Sequence, residues 1–425
     1  MNKTKQSFIF GFALFASFFG AGNLILPPML GYNSGSDWWL VAIGFVITAT
    51  VIPLLALFGH AKLQGSMLEF GNKVSPLFSL IFCLFTFAII IALPCPRTAA
   101  VTHEMAIAPF FNISSLSTSV VYFSLAYIFV INRNRVLDIL GKYLTPIIVI
   151  IILLIIVLGL FNSPSIINAS QYKSPITSGL LEGYQTYDAI AGLVTGGIII
   201  ISINSSKNNL SFNEKKQIIA KSGLIAMIGL FVIYAGLISL GAFYNTEFTE
   251  PITRTSLLAG LAEKTLGNFG AAFLSVLVSL ACFTTAVSII VCTADFFKIL
   301  FNQNQWAYYI TALVCCSVGI IVGQLDVAYI INIAIPLLML IYPIAIVLIL
   351  LNVLPNRYAS KLVFKSVIIV AFIFSLPDFL QYIFHEESLK KIIDIIPLGK
   401  NNLGWVIPST FMFVFMNVFK RKKPN

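Results

Sequence analysis

Apolar runs long enough to cross a bilayer follow one another along nearly the whole chain, separated by short polar or Gly/Pro-rich breaks. The pattern predicts an all-α protein of about twelve transmembrane helices, at 7–31, 38–58, 76–110, 117–132, 137–161, 178–203, 217–243, 268–297, 305–323, 327–351, 364–384 and 402–419. No soluble domain is inserted between them. The third run is too long for one perpendicular crossing, so it is read as strongly tilted or broken at Pro94-Cys95-Pro96. One loop stretch, Thr255–Ala262, predicts a short helix, either a lid over a vestibule or an interfacial helix without a gating role.

Two of the runs carry interruptions. In the first, Gly20-Ala21-Gly22 lowers helix propensity, Asn23 suits the N-cap of a fresh helix, and Pro27-Pro28 fit its early turns. Such a break leaves carbonyls and amides unused, and a membrane tolerates these only where they line a protein cavity. The sixth run opens on a second interruption, Gly183-Tyr184-Gln185-Thr186-Tyr187-Asp188, five spans later and running the opposite way. Interrupted helices at corresponding places in two halves predict an inverted-repeat transporter, with a midplane site for a small charged solute and a cation. The repeat is inferred from span order, not from matching residues.

Composition narrows the class. With 58% hydrophobic and 10% charged residues and a mean hydropathy of +0.95, the chain reads as a polytopic membrane protein; a soluble one carries about a quarter charged residues. The net charge of +10 matters through its placement rather than as a sign of a nucleic-acid partner. Lys and Arg gather in alternate loops, among them Lys62, Lys73, Arg133, Arg135, Lys207, Lys215 and Lys216, and at Lys420–Lys423. That bias predicts both termini on the cytoplasmic side and an even number of spans. The run after Lys3 and Lys5 is read as the first span rather than a cleaved leader. The six cysteines have no metal or redox spacing, and of the three histidines His60 and His385 read as loop residues. No catalytic constellation and no repeated pore motif is present, which disfavours a membrane enzyme and a channel.

Candidate chemistry concentrates at the breaks. Amides opening the second half-helix at Ala21, Gly22 and Asn23 suit a carboxylate, and carbonyls ending the first suit an ammonium group or Na⁺; close packing through small residues is the rival explanation. Asp188 lies well inside the sixth span, where a carboxylate is costly. Three roles are open to it: holding a cation, binding an amine, or capping the restarting helix. Tyr184 and Thr186 beside it offer hydrogen-bonding groups. Thr284 and Thr285 place two hydroxyls at mid-membrane, for their own helix carbonyls or for Na⁺. Arg97 and Glu104 share a face of the third run, two turns apart, with coupling, gating or an outer ion pair open to Glu104. Neither break contains Arg or Lys, which favours capture of a zwitterion by backbone groups.

Together, Phe19-Gly20-Ala21-Gly22-Asn23 with Pro27-Pro28, Pro96-Arg97-Thr98-Ala99 with Glu104 and Ile107-Ala108-Pro109, Gly183-Tyr184 with Thr186 and Asp188, and Ile341-Tyr342-Pro343 resemble the bacterial branched-chain amino acid:cation symporters. That family lies within the amino acid–polyamine–organocation superfamily. The resemblance spans nearly the whole chain. It implies the leucine-transporter fold: a first repeat at 7–161, an inverted second at 178–351, discontinuous helices 1 and 6, and two extra spans at 364–419. It further implies uptake of leucine, isoleucine and valine with Na⁺ or H⁺ across the inner membrane by alternating access, hinged at Gly20. The implied Na⁺ site joins carbonyls of Ala16 and Phe19 to Ala281, Thr284 and Thr285. The substrate carboxylate would rest on Ala21, Gly22 and Asn23, and its amine would face carbonyls of the first and sixth spans, with Asp188, Tyr184 and Thr186 also binding substrate and Arg97 and Glu104 in gating or coupling. An apolar pocket is implied from the third, sixth and eighth spans. No cofactor and no other metal is expected, and a monomer suffices. A same-fold carrier of another amino acid or an organic cation is the nearest alternative. His103 beside Glu104 departs from the apolar or small neighbour expected there.

Overall fold

A computed structural model describes residues 3–132, 136–205, 211–248, 251–384 and 386–421. The first span is two helices, α1 (Lys3–Phe18) and α2 (Ala21–Ser34), and the second runs through α3 (Trp38–Val46), a π-helical turn at Ile47–Val51 and α4 (Ile52–Leu63). After the short α5 (Met67–Asn72), the third span comprises α6 (Pro76–Ala92) and α7 (Pro94–Thr102), closing on a second π-helical turn at His103–Ile107. Then come α8 (Ser115–Ile131), α9 (Val136–Phe161), α10 (Pro175–Tyr184), α11 (Asp188–Ser205) and α12 (Phe212–Phe243). The remainder is α13 (Arg254–Leu300), α14 (Gln305–Gly323), α15 (Val327–Val353), α16 (Lys361–Phe384), the short α17 (Glu387–Ile395) and α18 (Val406–Arg421). Among the described residues 7 helices are long and apolar enough to cross a membrane, and shorter apolar helices and the interrupted pairs complete the pattern. Large apolar side chains such as Phe12, Leu77, Val121 and Phe411 stay exposed on the outer faces. That is the arrangement expected when lipid, rather than water, surrounds the bundle.

The ambiguous third run proves to be broken. Leu93 leaves the helical region (φ −123°, ψ −73°), because Pro94 and Pro96 offer no N–H to the preceding turn. The long α13 is likewise two pieces, joined at Gly267 with φ 72° and ψ 179°, a conformation only glycine adopts without strain. Its first arm contains the predicted Thr255–Ala262 helix, and Leu257, Leu258, Leu261 and Ala262 are buried in the main core. His60 is not in a loop: it lies on α4, fully buried, with its ring nitrogens at 3.0 Å from the Gly65 carbonyl and 2.9 Å from that of Leu193. His385, and the loop cations Arg133, Arg135 and Lys207, lie outside the described residues. The six cysteines are free thiols.

Each interrupted span is held by backbone-to-backbone contact at glycine. A Cβ on Gly31 of α2 would stand 1.9 Å from the Ile238 carbonyl oxygen of α12, and one on Gly241 would stand 2.0 Å from that of Pro28. The same device joins α10 to α3: a Cβ on Gly179 would lie 2.1 Å from the Val41 carbonyl, and one on Gly44 2.0 Å from that of Ile176. Small residues let helices in lipid approach closely enough for dispersion to hold them. The first span thus packs on the seventh as the sixth packs on the second, the exchange an inverted repeat requires.

Gly31→Ala and Gly241→Ala each drive a methyl into a carbonyl that cannot turn aside, at a cost of about 1–3 kcal/mol or more. Size-exclusion chromatography of the detergent-solubilised variants is expected to show most of the monodisperse protein lost.

Candidate functional site

The first break begins where α1 runs out. Phe19 N–H still reaches the Phe15 carbonyl at 2.9 Å, but Gly20 is extended (φ −124°, ψ −170°) and serves as the N-cap of α2. The restart therefore falls at Ala21, whose side chain lies outside the described residues, and not at Asn23 as its N-cap. Asn23 is the third residue of α2, and its Oδ1 accepts the Gly20 N–H at 3.1 Å. Glycine is a tolerable N-cap, so Asn23 need not sit there and its amide is free to reach out of the helix. Pro27 and Pro28 consequently fall inside α2 rather than in its opening turn, leaving the carbonyls of Asn23 and Leu24 without their helical donors.

The second break spans Gln185–Tyr187. Tyr187 takes a left-handed conformation (φ 63°), and Thr186 Oγ1 accepts the Asp188 N–H at 3.2 Å while donating to the Gly183 carbonyl at 2.9 Å. Thr186 is thus the side chain that bridges the interruption. Asp188 opens α11, where a negative charge is favoured by the amides of the first turn. Its carboxylate turns across to the other break: Asn23 Nδ2 donates to both carboxylate oxygens at 2.9 Å, and the Tyr234 hydroxyl of α12 donates at 2.7 Å. Asn23 Nδ2 also donates to the Tyr234 oxygen, closing a triangle of buried polar groups.

Neither break contains Arg or Lys, but folding brings the Arg97 side chain to both, so capture of a zwitterion need not rest on backbone groups alone. It is 4% exposed, its Nη1 donates to the Gln185 carbonyl at 3.0 Å, and its guanidinium carbon sits 5.5 Å from the centre of the Tyr187 ring. A Cβ on Gly22 would come within 2.4 Å of Nη2, so the same guanidinium also lies against α2. The cation is remote from both breaks in sequence and is brought there by the third span. Among the described residues it forms no ion pair with Asp188; the pairs there include Arg254–Glu182 at 2.7 Å and Lys264–Glu247 at 2.6 Å.

Between the breaks lies a cavity. Gly20, Gly22, Asn23, Arg97, Thr186, Tyr187, Asp188 and Thr285 line its polar side, and its apolar wall comes from the third (Ile90, Pro94), sixth (Ile190, Val194) and eighth (Ile289) spans. Tyr184 lies outside it, stacked on Tyr342 of α15 at 4.3 Å. Thr284 and Thr285 both donate to the Ala281 carbonyl at 2.9 Å, and only Thr285 also lines the cavity, close over Gly20. Ala16 is half-buried on α1, and Phe19 and Ala281 are buried. Glu104 is elsewhere: it accepts the Thr255 hydroxyl at 2.6 Å and the Val327 N–H at 2.9 Å, tying α13 to the start of α15. Among the described residues it forms no ion pair with an outer basic group, and it bounds a second cavity, with Met29, Asn33, Arg254 and Asp326, under the α13 arm.

Sequence reasoning missed Tyr234, Ser17 and Ser288. Nothing in an apolar run marks one of 15 tyrosines as the partner of Asp188, although a buried phenol needs some partner. Tyr234→Phe removes a bond to a buried carboxylate and is expected to destabilise the ligand-free protein by about 2 kcal/mol. Tyr187→Phe, whose hydroxyl is buried with no partner, is expected to change it by less than about 0.5 kcal/mol; thermal unfolding in detergent compares the two.

A family model described as "Branched-chain amino acid transport protein" matches residues 3–423. A putative branched-chain amino acid carrier protein of Staphylococcus haemolyticus is 33% identical over 422 residues, covering 94% of this chain and 93% of the relative. The branched-chain amino acid permease BraB of Bacillus subtilis is 31% identical over 420 residues, covering 95% and 93%. Among solved structures, MhsT in complex with L-phenylalanine superposes with a TM-score of 0.57 at 15% identity, covering 96% of this chain and 98% of that one. Mhp1, a nucleobase-cation-symport-1 family transporter, gives 0.61 at 12% identity, covering 98% and 92%. These likenesses place the chain in the leucine-transporter fold.

Proposed function

The chain belongs to the branched-chain amino acid transport protein family, and on that premise we propose that it imports leucine, isoleucine and valine across the bacterial cytoplasmic membrane by symport with Na⁺. It is a transporter and not an enzyme. The observation that carries the substrate reading is the cavity between the breaks, apolar on the wall built from Ile90, Ile190, Val194 and Ile289 and polar where the two half-helices meet. Burying a branched aliphatic side chain there is worth about 1.5–3 kcal/mol. The polar side offers one cation, one anion and helix-terminal groups, a complement to a zwitterion.

Na⁺ coupling is supported by Thr285, whose hydroxyl lies over Gly20 beside the end of α1, where the last carbonyls lack helical donors. Carbonyls of Ala16, Phe19 and Ala281 complete the assigned set, with Thr284 on its margin. A proton reading is favoured by one observation, the buried carboxylate of Asp188 in the same cavity. We assign 7–161 and 178–351 to the two repeats and 364–419 to the accessory pair. With the termini cytoplasmic, as the Lys and Arg bias supports, the cavity continues inward along Thr195, Ser288 and Cys292. On the opposite side the α13 arm is tied to α15 through Glu104, and we assign this conformation to the inward-facing half of an alternating-access cycle.

Uptake of labelled isoleucine into proteoliposomes tests the reading. A Na⁺ gradient is expected to drive saturable accumulation that falls at least about tenfold in Thr285→Ala and much less in Thr284→Ala. Accumulation driven by a pH gradient alone and indifferent to Thr285 would overturn the Na⁺ assignment in favour of Asp188. No accumulation of any branched-chain amino acid under either gradient would overturn the substrate.

A further inference from the structure

The guanidinium of Arg97 is the one charged group of the central cavity whose bonding capacity is largely unspent. It has five N–H donors, and its Nη1 reaches the Gln185 carbonyl at 3.0 Å. Its Nε is buried with no partner, and its Nη2 lies against Gly22 at the start of α2. The free edge, Nε with Nη2, is the side-on edge that receives a carboxylate through two parallel N–H···O bonds. Tyr187 lies against the guanidinium, 5.5 Å from ring centre to Cζ, and restrains it. Asp188 does not discharge it, because that carboxylate is taken up by Asn23 and Tyr234. A guanidinium this deeply buried calls for an anion, and the open space beside it belongs to the substrate cavity.

We propose that Arg97 is a specificity-determining residue that binds the α-carboxylate of the transported amino acid through its Nε–Nη2 edge. This rests on the substrate reading above and deepens it. The carboxylate lies beside the guanidinium where it meets the start of α2, so side chain and backbone share its charge. The absence of a side chain at Gly22 is what lets the two meet: a methyl there would stand 2.4 Å from Nη2. The displaced atom is the far end of a flexible side chain, so Gly22→Ala moves the cation and leaves the fold in place. Substrates that lack a carboxylate leave the guanidinium buried and unpaired, and a site built for a hydrogen-bonding group rejects analogues without it strongly.

The test is ligand-induced thermal stabilisation of the purified full-length protein, titrated with leucine, leucinol, 4-methylpentanoate and 3-methylbutylamine. Wild type is expected to bind leucine at least about 100-fold more tightly than leucinol, and 4-methylpentanoate, which keeps the carboxylate, more tightly than 3-methylbutylamine, which lacks it. In Arg97→Gln and in Gly22→Ala the leucine-to-leucinol ratio is expected to collapse below about tenfold, through weaker leucine binding and not through tighter leucinol binding. An undiminished ratio in either folded variant overturns the proposal and returns the carboxylate to the backbone alone. Were neither variant to fold, a wild type that prefers 3-methylbutylamine over 4-methylpentanoate would overturn it by itself. Failure of leucine to stabilise the wild type at any concentration would instead overturn the substrate reading beneath it.

Discussion

A helix interrupted inside a bilayer must find partners within the protein for every group it exposes, because hydrocarbon supplies none. Here the two interruptions partner each other through one cross-link: the Asn23 amide on the Asp188 carboxylate, steadied by Tyr234. The two interruptions are thereby made into a single site. Asn23 spends its oxygen on the Gly20 N–H of its own break and its nitrogen on the other, so one side chain serves local capping and long-range joining together. Asp188 gains bonds that a carboxylate at this depth requires. Arg97 then enters beside this closed triangle, not as part of it, which is why its charge remains available.

The triangle can form because the half-helices are fixed first by packing. Gly31 and Gly241 bring α2 onto α12, and Gly44 and Gly179 bring α10 onto α3, at distances that admit no side chain. Tyr234 lies on the same helix that receives α2, and Thr48 of the second span donates to the Leu180 carbonyl of α10 at 2.9 Å. Each break is therefore presented by a helix of the opposite repeat. The other half-helices, α1 and α11, meet the cavity through small and hydroxylated residues such as Ser17, Ala191 and Thr195.

The span order and both interruptions were legible in the sequence, and the third run was narrowed to a tilt or a break at Pro94-Cys95-Pro96, since each is written in local terms: apolar length, paired glycines, prolines, a carboxylate inside a span. What was not legible is tertiary. The restart at Ala21 instead of Asn23 depends on Asn23 having a more valuable partner on another helix, which no local preference encodes. Arg97 was legible as a gating or coupling candidate of the third span, but not as a neighbour of the breaks, since only folding carries it to Gly22 and Gln185. Tyr184 carried the break's signature yet packs on Tyr342, whereas Tyr234, with no signature at all, holds the carboxylate. His60 was misread because the helix runs past the end of the apolar stretch and buries its ring against α11.

The central claim is that the two breaks are one unit through Asn23 and Asp188, and its most direct test is a double-mutant cycle on the unfolding of the ligand-free protein. Asn23→Ala, Asp188→Ala and the double variant are compared with wild type. The account predicts strong non-additivity, with a coupling free energy of at least about 1 kcal/mol, as groups in one hydrogen-bond network show. Effects that add to within about 0.5 kcal/mol, the behaviour of independent sites, would contradict it and leave two breaks that merely lie close together.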